Sequence, residues 1–244
     1  TSFSVALTRA YVSSSYTGVS TGDKDYPFKS LSAAFDSFED TTNGDNTIIL
    51  LTDLEDDDPF NLANGGNMKI TSVGGDKTYK GQINVKASGN LTLQNIRVEG
   101  RIEISAGATV ILKTGAVVKG TGSVIGDNVV FLQSGAYLTV AENYELPSGF
   151  TYGACITTED GNENLDTQVL RTETGVITNT LCNKFVLGNA PTETNNDGIS
   201  TQYCIQANDA KTFGVIKKTG VDPSFDFDFS VNYSLAATKE EIST

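Results

Sequence analysis

Between Asn46 and about Val140 the apolar residues come in pairs two positions apart. Ile48/Leu50, Met68/Ile70, Leu91/Leu93, Val110/Leu112 and Val130/Leu132 repeat the motif, their first members spaced 20, 23, 19 and 20 residues apart. Alternation with a period of two turns successive side chains to opposite faces, the mark of a strand with one face buried. Such strands recurring about every 20 residues predict a coiled solenoid, in which each coil buries its apolar face only against its neighbours.

The best-matched coils carry more than one strand each. Ile83/Val85 lead to Ile102/Ile104 at a step of 19, Leu91/Leu93 to Val110/Leu112 at 19, and Ile96/Val98 to Ala116/Val118 at 20, which predicts three strands per coil. Asn95, Gly115 and Gly135 recur at a step of 20, as do Gly100 and Gly120, and these are residue types that tolerate the positive φ of a tight corner. Inward positions read Ile, Val, Leu and Ala, and outward ones Thr, Gln, Lys, Arg and Glu. At sheet spacing, five coils make a rod of roughly 24 Å.

The pattern changes at both ends. Leu31, Ala34, Phe35 and Phe38 fall at helical spacing, so a short amphipathic helix is expected from about Ser30 to Asp40, acting as a lid on the first coil. Pro27 and the serines after it signal its start and TTNGDN its stop. Beyond Val140 the strand-like pieces ACITTE, TQVLRT, KFVLGN, TQYCIQ and FGVIKK are separated by long polar loops, which fits either irregular extra coils or a small β appendage. SFDFDFSVNYSL alternates Phe225, Phe227, Phe229, Val231 and Tyr233 with polar residues and reads as a final covering strand. The organisation expected is a strand and capping helix over 1–45, regular coils over 46–147 and an irregular continuation or appendage over 148–244.

Composition narrows the chemistry. A net charge of −13, with 30 acidic against 17 basic residues, argues against nucleic acid as a partner. No apolar run approaches the ~18 residues of a membrane helix, so no membrane insertion is expected. The first residues lack a signal-peptide layout, and the absence of an initial Met reads as a mature protein or a piece of a longer one. The absence of histidine excludes imidazole acid–base chemistry, His-dependent nucleophiles and His-ligated metals. Cys155, Cys182 and Cys204 are widely spaced, leaving open one disulfide with a free thiol or three reduced thiols.

What chemistry remains rests on carboxylates and cations. The run Glu55, Asp56, Asp57, Asp58 follows the first repeat strand and reads as a solvated turn, with calcium as its other use. Asp160, Asn162, Asn164 and Asp166 alternate oxygen side chains as calcium loops do, without the central Gly and distal Glu of a helix-loop-helix site. They are the candidate metal ligands, and calcium the one candidate cofactor. Glu99 and Glu103 are the outward acids of the regular coils and are read as a surface pair, not as glycosidase carboxylates. Arg97, Arg101, Lys113 and Lys119 are the outward cations there. Tyr11, Tyr16, Tyr26, Tyr79, Tyr137, Tyr144 and Tyr152 are expected along loops and strand ends, either packed there or presenting rings to sugars or proteins.

The segment YVSSSYTGVSTGDKDYPFKSLSAAFDSF, residues 11–38, resembles the opening of right-handed parallel β-helix proteins of the pectate-lyase-like superfamily. The matching positions are Tyr11, Val12, Ser13, Gly22, Pro27, Phe28, Ser30, Leu31 and Ala34. TQVLRTETGVITNTLCNKFVLGN and TQYCIQANDAKTFGVIKK are similar to a module of large bacterial cell-surface proteins. The resemblance implies an all-β fold: a short right-handed parallel β-helix, three strands per coil, with an N-terminal capping helix and a less regular C-terminal β region. The superfamily includes enzymes, but their acidic metal sets and paired aspartates have no counterpart on these coils. The expected function is a non-enzymatic structural or adhesion module, part of a longer extracellular or cell-surface protein, with glycan or a host surface protein as candidate partner. The alternatives are a lyase or glycoside hydrolase acting on an acidic polymer, and a calcium-stabilised spacer.

Overall fold

The computed structural model describes residues 7–118, 129–162, 164–188, 192–194 and 200–219. The first described strand is β1 (Arg9–Val12), whose outer edge is occupied by its own following loop. Tyr11 N–H donates to the Gly22 carbonyl at 2.9 Å, Phe28 N–H to the Tyr11 carbonyl at 2.8 Å and Ser13 N–H to the Phe28 carbonyl at 2.8 Å. An edge satisfied in this way offers no template for another chain.

Helix α1 (Leu31–Asp36) follows, with the Ser30 hydroxyl accepting Ala33 N–H at 3.2 Å as its N-cap. Leu31, Ala34, Phe35 and Phe38 are all buried, and Phe35 meets Phe60 edge-on at 5.7 Å, closing the interior of the first coil. The helix stops earlier than its apolar spacing predicts. Ser37 donates its hydroxyl proton to the Ala34 carbonyl at 2.6 Å and Phe38 N–H bonds back only three residues, to Phe35.

The first full coil holds β2 (Thr47–Leu50), β3 (Leu54–Glu55) and β4 (Phe60–Leu62), and the second β5 (Asn67–Ser72), β6 (Lys77–Lys80) and β7 (Ile83–Val85). The third holds β8 (Asn90–Gln94), β9 (Ile96–Glu99) and β10 (Ile102–Ile104), and the fourth β11 (Thr109–Leu112), β12 (Val117–Val118) and β13 (Val130–Leu132). From β2 to β10 each strand pairs in parallel with the strand three further along, the pairing of a β-solenoid with three strands per coil. Three stacks result: a first through β2, β5, β8 and β11, a second through β3, β6, β9 and β12, and a third through β4, β7, β10 and β13. β14 (Leu138–Val140) extends the first stack, and β15 (Ala154–Thr158) joins the other two, Ala154 pairing with Val118 and Ile156–Thr158 with Val130–Leu132.

The interior is one apolar cluster running from Ala10 to Ile216. Ile48, Ile70, Leu93, Leu112 and Val140 stand in register on successive coils, each with 0% of its surface exposed. Burial of each such side chain is worth ~1.5–3 kcal/mol. Tyr79 and Tyr144 also point inward and are buried, so they are core residues and not surface rings; Tyr144 donates its hydroxyl to the Ala116 carbonyl at 2.7 Å.

Two registers differ from the repeat as read in the sequence. Ile48 lies beside Ile70, not Met68, and Val130/Leu132 belong to the third stack, beside Ile102/Ile104. The fifth strand of the first stack is β14, because the stretch between β12 and β13 lengthens the fourth coil. Gly135 accordingly shares a corner with Gly107, not with Asn95 and Gly115. Turns at Ala63–Gly66, Lys86–Gly89, Ser105–Ala108 and Gln133–Ala136 are each closed by the N–H of the fourth residue on the carbonyl of the first, at 2.9, 2.8, 3.0 and 2.8 Å. Their third residues Gly65, Ser88, Gly107 and Gly135 have φ of 75°, 61°, 77° and 78°, as a type II turn requires.

Past the coils, β16 (Gln168–Thr172) pairs with β14, α2 (Asn179–Cys182) crosses the end, and β17 (Phe185–Leu187) pairs with β15. β18 (Thr192–Thr194), β19 (Ser200–Ala207) and β20 (Gly214–Thr219) form an antiparallel set whose β20 lies along β16. Among the described residues, β16 and β17 continue the parallel pairing of the coils and β18–β20 follow as the antiparallel set. Leu181, Cys182, Tyr203, Ile205 and Ile216 join the core and cover that end of the stack. The alternating segment from Phe225 to Tyr233 lies outside the described residues.

Candidate functional site

Residues two apart on a strand face the same way, and this rule sorts the outward charges of the coils. On the second stack Arg97 Nη2 stands 3.0 Å from Glu99 Oε1, and its guanidinium lies 5.3 Å from the Phe150 ring centre. Asp76, Thr78, Val117 and Phe150 complete a hollow of about 130 Å³ around it. On the third stack Arg101 Nη2 stands 3.3 Å from Glu103 Oε2, with its guanidinium 4.0 Å from the centre of Phe131. Gln133 Nε2 donates to Glu103 Oε1 at 2.9 Å, and Asn84 Nδ2 donates to Asn61 Oδ1 at 2.8 Å beside it. On the first stack Lys113 Nζ lies 3.6 Å from Glu173. Lys119 lies outside the described residues.

Glu99 and Glu103 are therefore not a pair. Each is neutralised by the arginine two residues before it, on a different face of the coil. Standing on different faces, Glu99 and Glu103 do not flank one point between them, the placement two carboxyls need for glycoside hydrolysis.

The acidic run after β2 divides in function. Glu55 is exposed beside Lys80 at 4.0 Å, whereas Asp56 Oδ2 accepts Leu31 N–H at 3.3 Å and so reaches from the first coil to the start of α1. Burial holds the Asp56 carboxyl above the usual carboxylate range, with the charges of Asp57 and Asp58 adding to the effect. Nothing in the local sequence distinguishes Asp56 from its neighbours; the contact spans 25 residues.

In the loop from Asp160 to Asp166, Asn162, Asn164 and Asp166 each engage a partner within the protein. Asn162 is buried, its Oδ1 accepting Thr158 N–H at 3.0 Å and its Nδ2 facing the carbonyls of Ile156 and Gly188. Asn164 donates to the Asp160 carbonyl, and Asp166 pairs with Lys217. Among the described residues no three His, Cys, Asp or Glu side chains converge on one point. The three thiols are unpaired, and burial pushes Cys155 and Cys182 up to about 11. Thiols held in that state are poor nucleophiles.

No family model matches this chain, and neither does a curated protein or a solved structure. The β-solenoid rests on the pairing of its strands. No described helix is long and apolar enough to cross a membrane.

Proposed function

We propose that this chain is a non-enzymatic module of a longer extracellular or cell-surface protein, serving as a rigid spacer or adhesion element that presents its outer faces to glycan or to a host surface protein. In this reading the solenoid is a short right-handed parallel β-helix of the pectate-lyase-like superfamily. Residues 1–45 form its cap, 46–147 its regular coils and 148–244 its irregular end.

The observation that carries the proposal is the pairing of three outward cations of the coils with neighbouring acids, Arg97 with Glu99, Arg101 with Glu103 and Lys113 with Glu173, on three separate faces. A catalytic face needs charges converging on one substrate bond. A spacer needs a continuous buried interior and backbone hydrogen bonds along its axis, and both run through the coils. The acidic composition suits a soluble surface that repels nucleic acid.

Incubation with acidic and neutral polysaccharides tests the proposal. No new reducing or unsaturated ends are expected, and a glycan and host-protein binding screen is expected to return a ligand. Release of such ends overturns the proposal in favour of a lyase or hydrolase.

A further inference from the structure

Two places in the chain put a glycine directly after an asparagine, Asn43–Gly44 and Asn64–Gly65, and the fold treats them differently. A glycine nitrogen has no β-carbon beside it to hinder its attack on the preceding carboxamide, so this dipeptide is open to reaction with itself. How readily it reacts depends on how firmly the surrounding structure holds the asparagine.

Asn43 is held at three points. Its N–H donates to the Asp40 carbonyl at 3.3 Å, its carbonyl accepts Asn46 N–H at 3.2 Å and its Oδ1 accepts Asp45 N–H at 3.0 Å. The Asn67 amide nitrogen stands 3.3 Å from where a β-carbon on Gly44 would sit, so this loop is also covered from the next coil.

Asn64 is held at none. It is the exposed second residue of the corner turn between β4 and β5, and among the described residues no hydrogen bond reaches its side chain, its N–H or its carbonyl. The bond across the turn joins its neighbours, Gly66 N–H to the Ala63 carbonyl at 2.9 Å. Nothing lies within 4 Å of the point that a β-carbon on Gly65 would take. The same position in the three equivalent corners holds Ala87, Ala106 and Ser134, so the turn does not depend on this side chain.

We propose that Asn64 is a site of spontaneous covalent modification, deamidating through a cyclic imide with water as the co-reactant. The Gly65 nitrogen attacks Asn64 Cγ; the N–Cγ bond forms as Cγ–Nδ2 breaks, and the Gly65 amide proton leaves with the side-chain nitrogen as ammonia. Water then opens the imide at one of its two carbonyls. Opening at Cγ restores the normal main chain and leaves aspartate, whereas opening at the Asn64 main-chain carbonyl leaves a β-linked isoaspartate, whose main chain is longer by one methylene. Either product adds one negative charge to the corner. The modification is independent of the spacer or adhesion reading.

A type II turn holds ψ of its second residue at ~120°, and ring closure needs that bond to rotate toward the Asn64 β-carbon. At Asn64 the rotation releases one exposed hydrogen bond, and at Asn43 it releases three. Two exposed bonds fewer to break make the reaction at Asn64 about tenfold faster. Leu62 and Met68 on either side of the corner are buried and do not take part, so the modified chain keeps its core.

The test is incubation of the full chain in mildly alkaline buffer, folded and in urea, followed by fragment mass analysis that separates residue 43 from residue 64. In the folded chain Asn64 is expected to acquire the mass of its acid about tenfold faster than Asn43, as both aspartate and isoaspartate. In urea, where neither asparagine is held, the two rates should converge. Gly65→Ala, which places a methyl beside the attacking nitrogen, should slow the loss at residue 64 in both samples and leave residue 43 unchanged. In the folded chain, no reaction at Asn64, or reaction at Asn43 as fast or faster, overturns the inference. The same is true of an Asn64 advantage that persists in urea, of aspartate formed without isoaspartate, and of an unchanged rate in Gly65→Ala.

Discussion

The carbonyl oxygen of Gly81 lies 2.0 Å from the point that a β-carbon on Gly100 would occupy, so successive coils touch backbone to backbone at this corner. Gly81 N–H donates to the Glu99 carbonyl at 3.2 Å in the same contact. The obstacle is main chain and cannot rotate away, so an added methyl must part the coils. Gly100→Ala is expected to cost about 2–4 kcal/mol, measured as a lowered urea midpoint with unchanged slope. A midpoint within error of the parent would mean that the coils are not packed this closely.

The corner column Gly65, Ser88, Gly107, Gly135 gives a milder test with a predicted sign in both directions. Ser88 holds φ of 61° where the other three are glycine, and a left-handed non-glycine residue costs ~1 kcal/mol. Ser88→Gly relieves that strain and loosens the unfolded chain, for a net gain of about 0.5 kcal/mol. Gly107→Ala, with open space around the new methyl, should lose about 1 kcal/mol from φ alone. Thermal melts of the two variants are expected to move in opposite directions.

The same column shows where the sequence could be read and where it could not. Between Ile83 and Val118 the coils have near-constant length, and the pairs Ile83/Ile102, Leu91/Val110 and Val98/Val118 stand in the register that their spacing implies. The alternation is degenerate, however, since all three strands of a coil show an inward aliphatic pair. Once the fourth coil lengthens, a step of 20 from Val110 lands on Val130 in the third stack and falls short of Leu138, which belongs in the first. Turn geometry breaks the tie, because Gly135 closes the same four-residue turn as Gly107. Tyr79 and Tyr144 were unreadable for another reason: a tyrosine is buried or exposed according to whether its strand position points inward, and their registers were not fixed by the repeat. The reach of Asp56 to α1 is a long-range contact with no local pattern at all.

That contact predicts a pH dependence. Asp56 has its folded-state pKa raised above the ordinary carboxylate value, chiefly by burial, so the folded chain binds this proton more tightly than the unfolded chain does. Its contribution to stability is therefore greatest at low pH, where the group is protonated in both states. It falls as pH rises from the ordinary value through the raised one. Asp56→Asn keeps an oxygen for Leu31 N–H and removes the charge beside Asp57 and Asp58. Its melting temperature is expected to exceed that of the parent at pH 7, with the difference closing below about pH 4. A variant less stable than the parent at pH 7 would show that the charge itself anchors the helix.

Asn162 separates a structural loop from a calcium site. Its Oδ1 accepts Thr158 N–H while its Nδ2 is turned toward the carbonyls of Ile156 and Gly188, so both ends of the amide are engaged by backbone in a buried setting. Asn162→Ala leaves these groups without partners and should cost about 2 kcal/mol. Asn162→Asp is expected to be worse at neutral pH, about 3 kcal/mol, because a carboxylate oxygen then faces two carbonyl oxygens in place of a donor. Lowering the pH should recover part of that loss, since a protonated carboxyl donates one hydrogen bond again. A calcium ligand behaves in the opposite way: replacing its amide by a carboxylate adds charge to the site and strengthens binding. Melting curves with calcium and with chelator should therefore coincide for the parent chain, and calcium should not rescue the Asp variant. A rise in melting temperature with calcium that is abolished in Asn162→Ala would place the ion at this loop and overturn the structural assignment.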